Sequence, residues 1–267
     1  WPRKAINSVL LVDFESEADR EYVNGAWERH LDRCKALGKD SPNGVGAVYA
    51  SLTIFRKEVE HVRMPQVVRR MVEAVKSGRS AVCGTAFTGA VIKGCFDLLD
   101  NYGFTREDFG VCWGGRKNVR PDRILSQEDM MKLIEASLIS GEGLSLSDRR
   151  LIKRNLAWQE DGLLFGDQDD AERQSARYAR LQKLGLIGVQ TKDRRQREID
   201  KFQSGRAKFF FFTMASGGTG LSLPHCDSRQ TPRTGLFTSI YSGKDFNQAI
   251  WRDHRRNSIS DTYNYCV

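Results

Sequence analysis

Phe209-Phe210-Phe211-Phe212-Thr213-Met214 is the stretch on which the fold turns. Directly behind it stand Ala215-Ser216-Gly217-Gly218-Thr219-Gly220, then Leu221-Ser222-Leu223. An uninterrupted apolar run of this kind predicts a strand buried on both faces, as central strands of parallel sheets are. A turn of small residues lets the backbone come close to whatever lies at the strand's end, and its N–H groups can hold phosphate oxygens there. The plain alternative is a tight β–α turn. Further on, residues 244–257 predict a helix, on which Gln248, Arg252 and Arg255 share a face. A glycine turn at a strand end and two same-face arginines with a glutamine make an apparatus suited to polyphosphate, against the simpler reading of a basic surface helix.

Working outward, Arg197, Ile199 and Phe202 predict a helix over 193–203, stopped by Gly205. Residues 186–190 and 262–265 have strand character. So do residues 80–87, where Phe87 closes a small-residue run, and residues 108–115; a helix over 92–101, ended by Gly103, lies between those two. At the start, 5–14 predict a strand. Tyr22, Ala26, Trp27, Leu31 and Cys34 recur at helical spacing over 15–37, and two more helices follow, 47–60 and 66–76, the latter opened by Pro65. Residues 116–184 are charge-rich and read as helices over 126–135, 147–158 and 171–184 around an acidic loop at 161–170. Strands alternating with helices predict an α/β fold, a mostly parallel sheet with helices on both faces.

Ala215-Ser216-Gly217-Gly218-Thr219-Gly220-Leu221-Ser222-Leu223 resembles motif V of superfamily-2 helicases and translocases. Gln248-Ala249-Ile250-Trp251-Arg252-Asp253-His254-Arg255 resembles motif VI, with the pattern Gln-x-x-Gly-Arg-x-His-Arg. Residues 80–87 are similar to motif IV, and 197–205 to the segment between motifs IV and V, all in the family's order. The nearest kinds are the Swi/Snf-like, Strawberry-notch-like and phage or large-virus helicases. One position departs from the pattern: Trp251 stands where the family has glycine.

The resemblance implies a second, C-terminal RecA-like lobe over 79–267, preceded by a helical lead-in over 1–78 and carrying a helical insertion at about 116–184. It implies that Arg252 and Arg255 are arginine fingers on the γ-phosphate of ATP, and that Gln248 lies near the phosphates or couples the lobes. Gly218, Thr219 and Gly220 would contact the nucleotide, and Thr85, Thr88, Lys93 and Ser216 a nucleic-acid backbone. ATP and Mg²⁺ would be held mainly by an N-terminal helicase lobe, and the nucleic acid would be DNA rather than RNA. His254 reads equally as a bridge between motifs or as a structural histidine. Trp113 and Trp158 read as core or hairpin residues before they read as base-stacking platforms.

Composition agrees with a phosphate-rich partner without requiring one. The 267 residues carry 42 Lys and Arg against 34 Asp and Glu, a net charge of +8. Mean hydropathy is −0.50, and no apolar run approaches the ~20 residues of a membrane-spanning helix. The 6 cysteines form no Cys-x-x-Cys pair, so no metal site is expected, and their apolar settings suggest reduced thiols in an intracellular protein. Trp1 at the start and Val267 just beyond the motif VI-like run read as the ends of a piece of a longer polypeptide. No Gly-x-x-x-x-Gly-Lys-Ser/Thr loop or Asp-Glu-x-His box occurs in the chain. By itself, therefore, it is expected not to hydrolyse ATP. A second reading stays open: a non-catalytic nucleic-acid-binding or assembly module built on a degenerate helicase lobe.

Overall fold

The computed structural model of the chain describes residues 5–9, 14–36, 44–113, 129, 132–133, 145–148, 150–152, 176, 179–186, 190–217, 223, 231–238 and 262–267. The chain divides into two compact units, Trp1–Gly114 with Lys192–Val267, and Gly115–Thr191.

The first unit is built on one sheet. Its described strands are β1 (Ala5–Val9), β2 (Ser80–Thr85), β3 (Phe109–Cys112), β4 (Phe209–Thr213), β5 (Arg233–Phe237) and β6 (Thr262–Cys266). They lie in the order β1-β6-β5-β2-β4-β3, and every pairing is parallel. The helices are α1 (Glu17–Ala36), α2 (Gly44–Lys76), α3 (Thr88–Asn101), α4 (Lys192–Gln203) and the single turn α5 (Met214–Gly217), with a 3₁₀ turn at Arg106–Asp108. The fold is α/β.

The phenylalanine run explains the layering. Successive strand residues point to opposite faces. Phe209 and Phe211 meet Phe104 and Phe109 in edge-on contacts, with ring centroids 4.8 and 6.5 Å apart. On the other face Phe210 and Phe212 join Val82, Ile199, Phe202, Leu223 and Phe237. Helices α2 and α3 cover the first face: a Cβ at Gly94 of α3 would stand 2.6 Å from the Phe211 ring and 2.8 Å from the Met64 side chain of α2. Helix α4 covers the second, where a Cβ at Gly110 of β3 would stand 2.7 Å from Phe210 and 2.9 Å from the Glu198 carbonyl. With helices on both faces, every residue of β2, β3, β4 and β5 is buried, as all-parallel sheets require.

Helix α2 differs from its prediction. In place of two helices meeting at Pro65, one helix runs through the proline. A proline inside a helix removes one backbone hydrogen bond and crowds the preceding turn. Here Glu60, Met64, Val67, Val68, Met71 and Val72 form one buried stripe across that point, so burial of the whole stripe outweighs the local break. Helix α1 lies on α2 through Trp27, His30 and Phe55, and His30 Nδ1 is 2.9 Å from Ser51 Oγ. Ser16 caps α1 by accepting the Asp19 N–H at 3.1 Å. Gly103, at φ +69, ends α3, and Gly205, at φ +74, ends α4.

In the second unit Ser145 accepts the Asp148 N–H at 3.1 Å and so opens the described helical residues 146–148. The sequence places this start one residue later, at Ser147. The predicted strand over 186–190 lies largely outside the described residues.

Candidate functional site at the carboxyl rim of the sheet

Because the strands are parallel, their carboxyl ends share one rim. Register sets Thr85 opposite Thr213 and Gly84 opposite Phe237. The chain thus leaves β2, β4 and β5 side by side at Thr85, Thr213 and Phe237. From β2 the chain moves toward β3, and from β5 toward β6, on the opposite side. The β2/β5 boundary is therefore the topological switch point, where open α/β sheets form their ligand crevice.

A carboxylate that the sequence reading missed sits at that boundary. Glu60 of α2 is 4% exposed. Its Oε1 accepts the Ala86 N–H at 2.8 Å, its Oε2 accepts the Phe87 N–H at 3.1 Å, and Thr238 Oγ1 donates to Oε1. One side chain thus ties the ends of β2 and β5 to the helix between β1 and β2. Burial pushes its pKa above the ordinary value, against the opposing pull of those three donors and of Arg56. The cue in the sequence was its place in α2: Glu60 stands one turn before Met64, on the stripe that otherwise holds only apolar residues.

Around this anchor the predicted nucleic-acid residues are distributed unevenly. Thr85 is fully buried, and its hydroxyl donates to the Phe87 carbonyl at 3.0 Å. Thr88 is the first residue of α3, whose start at Phe87 has no side-chain cap; an uncapped first turn favours anions. Lys93 lies a turn further along, with Nζ 2.5 Å from Asp97 Oδ1. Asp97 is 3% exposed, and desolvation raises its pKa while Lys93 lowers it. Ser216 falls in α5, a helical turn that begins at Met214, where the sequence predicts the last residue of the strand. Gly218, Thr219 and Gly220 lie outside the described residues, as do Gln248, Trp251, Arg252, His254 and Arg255.

Two cations were also missed. The Arg56 guanidinium lies 6.0 Å and Lys57 Nζ 5.7 Å from the Phe87 ring centroid, so α2 brings positive charge to the loop between β2 and α3. Trp113 is 3% exposed and belongs to the core; Trp158 lies outside the described residues. Cys83, Cys95 and Cys112 are buried free thiols, and burial raises the pKa of the first two. No described helix is long and apolar enough to cross a membrane.

No protein-family profile and no curated protein matches the chain. Among solved structures it is similar to a crystal structure of the C-terminal part of the Fun30 ATPase domain. The identity is 9%, covering 99% of this chain and 85% of that one, with a TM-score of 0.47.

Proposed function

We propose that this chain is the C-terminal motor lobe of an ATP-dependent nucleic-acid helicase or translocase acting on DNA. The observation that carries the reading is the adjacency of β2, β4 and β5 at one rim, because the runs resembling motifs IV, V and VI begin at or follow those three strands in sequence. Chemistry that needs all three motifs together needs such an adjacency.

In this reading ATP and Mg²⁺ are held mainly by a second lobe that supplies the phosphate loop. Arg252 and Arg255 reach the γ-phosphate, where their guanidinium forks offset the charge spread over the departing phosphoryl oxygens. Gln248 works beside them, and Gly218, Thr219 and Gly220 line the nucleotide side of the rim. Thr88 at the start of α3 and Ser216 in α5 touch the nucleic-acid backbone, contacts that position a strand without reading its bases. Thr85 and Lys93 join them where their present partners, the Phe87 carbonyl and Asp97, can be exchanged. Nucleotide binding closes the two lobes and hydrolysis reopens them, so that alternating grips advance the strand.

The test is DNA-stimulated ATP turnover by a polypeptide carrying both lobes. Arg255→Ala is expected to lower kcat by about 10³-fold or more with ATP affinity held within about threefold. Turnover within a few-fold of the parent would sink the reading. Trp251, in a position where the family pattern has glycine, favours a second reading, a nucleic-acid-binding module without catalysis. That reading expects nucleic acid to bind the two-lobe protein while no ATP turnover accompanies it.

A further inference from the structure

The opposite, amino-terminal rim of the sheet holds a cavity of about 680 Å³, within the size range of small-molecule sites. Four cations line it: Arg79, Arg206, Lys208 and Arg233; no aspartate or glutamate is among its described lining residues. The charges grade inward, since Arg206 and Lys208 are exposed, Arg79 is half-buried and Arg233 is 2% exposed.

Two of the four are held in place. Arg79 Nε donates to Thr234 Oγ1 at 2.6 Å, its Nη2 donates to the Arg233 carbonyl, and its guanidinium lies 4.2 Å from the Tyr263 ring centroid. The Arg233 guanidinium lies 4.1 Å from the Phe202 ring centroid. Such clamping fixes a guanidinium in advance of any ligand.

A plainer account would have these cations serve the carboxyl ends of α2 and α4, which carry partial negative charge. The backbone already closes those ends. The Ala74 and Val75 carbonyls accept the Arg79 and Gly78 N–H groups, each at 3.0 Å. The Lys201 and Phe202 carbonyls accept those of Ala207 and Gly205 at 3.0 and 3.1 Å. Helix capping therefore does not account for four cationic side chains around one cavity.

We propose that this cavity is a binding site for a phosphate-bearing anion, an oligophosphate or a short run of phosphodiester backbone. Like charges gathered around one concave surface create a strong local positive potential, and guanidinium forks match phosphate oxygens bidentately. The volume exceeds what one phosphate needs. The Phe202 and Tyr263 ring faces are already covered by guanidinium groups, so recognition is by charge and independent of base identity. The site lies across the sheet from the rim proposed for nucleotide chemistry and does not depend on that proposal.

The probe is inorganic tripolyphosphate, titrated calorimetrically into the 267-residue chain at low and at moderate ionic strength. Binding that weakens with salt is expected. Arg206→Gln/Lys208→Gln, both at exposed positions, is expected to weaken it by about tenfold or more. Hydrogen exchange across residues 204–208 is expected to slow when tripolyphosphate is added to the parent chain, a reading that needs no variant. A single-stranded DNA oligonucleotide that displaces tripolyphosphate identifies phosphodiester backbone as the ligand; displacement by free oligophosphates alone identifies the other source. Absence of binding, or parental affinity in the Arg206/Lys208 double variant, overturns the proposal.

Discussion

Glu60 is the residue on which the carboxyl rim depends, and its chemistry can be read out by pH. Its carboxyl has a folded-state value above the ordinary 4.5, with burial as the largest cause. The folded state therefore takes up its proton more readily than the unfolded chain does. The stability contributed is full below 4.5 and is lost as pH rises through the folded value. In denaturant titrations across this window, the parent should lose stability relative to Glu60→Gln by up to roughly 1.4 kcal/mol per pH unit. A stability difference that does not change with pH would show that the carboxyl titrates normally. Glu60→Ala, which strips the Ala86 and Phe87 N–H groups and Thr238 of their shared acceptor, should cost about 3 kcal/mol at neutral pH. A second residue is constrained by shape alone. A Cβ at Gly84 would lie 2.7 Å from Phe237 and 3.0 Å from Phe212, so Gly84→Ala should destabilise by about 1–3 kcal/mol through overpacking, measurable as a lower Tm. Gly84 sits in a run the sequence marked as a strand, yet its crowding depends on Phe212 and Phe237, which only the parallel pairings bring beside it.

At the scale of elements, legibility followed how much of the signal was local. Strand β4 was readable because four phenylalanines in a row cannot be solvated. Helices α3 and α4 were readable from apolar spacing and from Gly103 and Gly205 beyond their ends. Strand β5 was not marked: Arg233, Thr234 and Gly235 look like loop. Arg233 is nevertheless buried in β5, against Phe202 of α4, a partner remote in sequence. Helix α2 was cut in two because Pro65 is a strong local signal and the stripe that overrides it is a tertiary one. The candidate site divides the same way. The sequence drew attention to residues at strand ends, whereas Arg56, Lys57 and Glu60 were passed over because charged residues on a helix ordinarily face water. Strand β4 also supplies a graded test. Phe211 is fully buried between Phe109, Gly94 and Met64. Phe211→Ala should cost about 3–5 kcal/mol, and Phe211→Leu markedly less, in denaturant unfolding followed by near-ultraviolet circular dichroism.

For the whole molecule, the proposed reading makes this chain half of a machine. The sequence holds two candidate fingers and no phosphate loop, and guanidinium groups without a held Mg²⁺–ATP cannot position a terminal phosphoryl for attack. The 267-residue chain by itself should therefore show no ATP turnover above background with or without DNA, measured by phosphate release at saturating Mg²⁺–ATP. Addition of a lobe carrying the phosphate loop, in the same polypeptide or as a separate chain at high concentration, should restore turnover. That restoration should fail with Arg252→Ala as well as with Arg255→Ala, because each removes one fork from the same phosphoryl group. Vigorous turnover by the chain without that lobe would mean that its own residues hold the metal and the nucleotide, and the division of labour proposed between two lobes would be wrong.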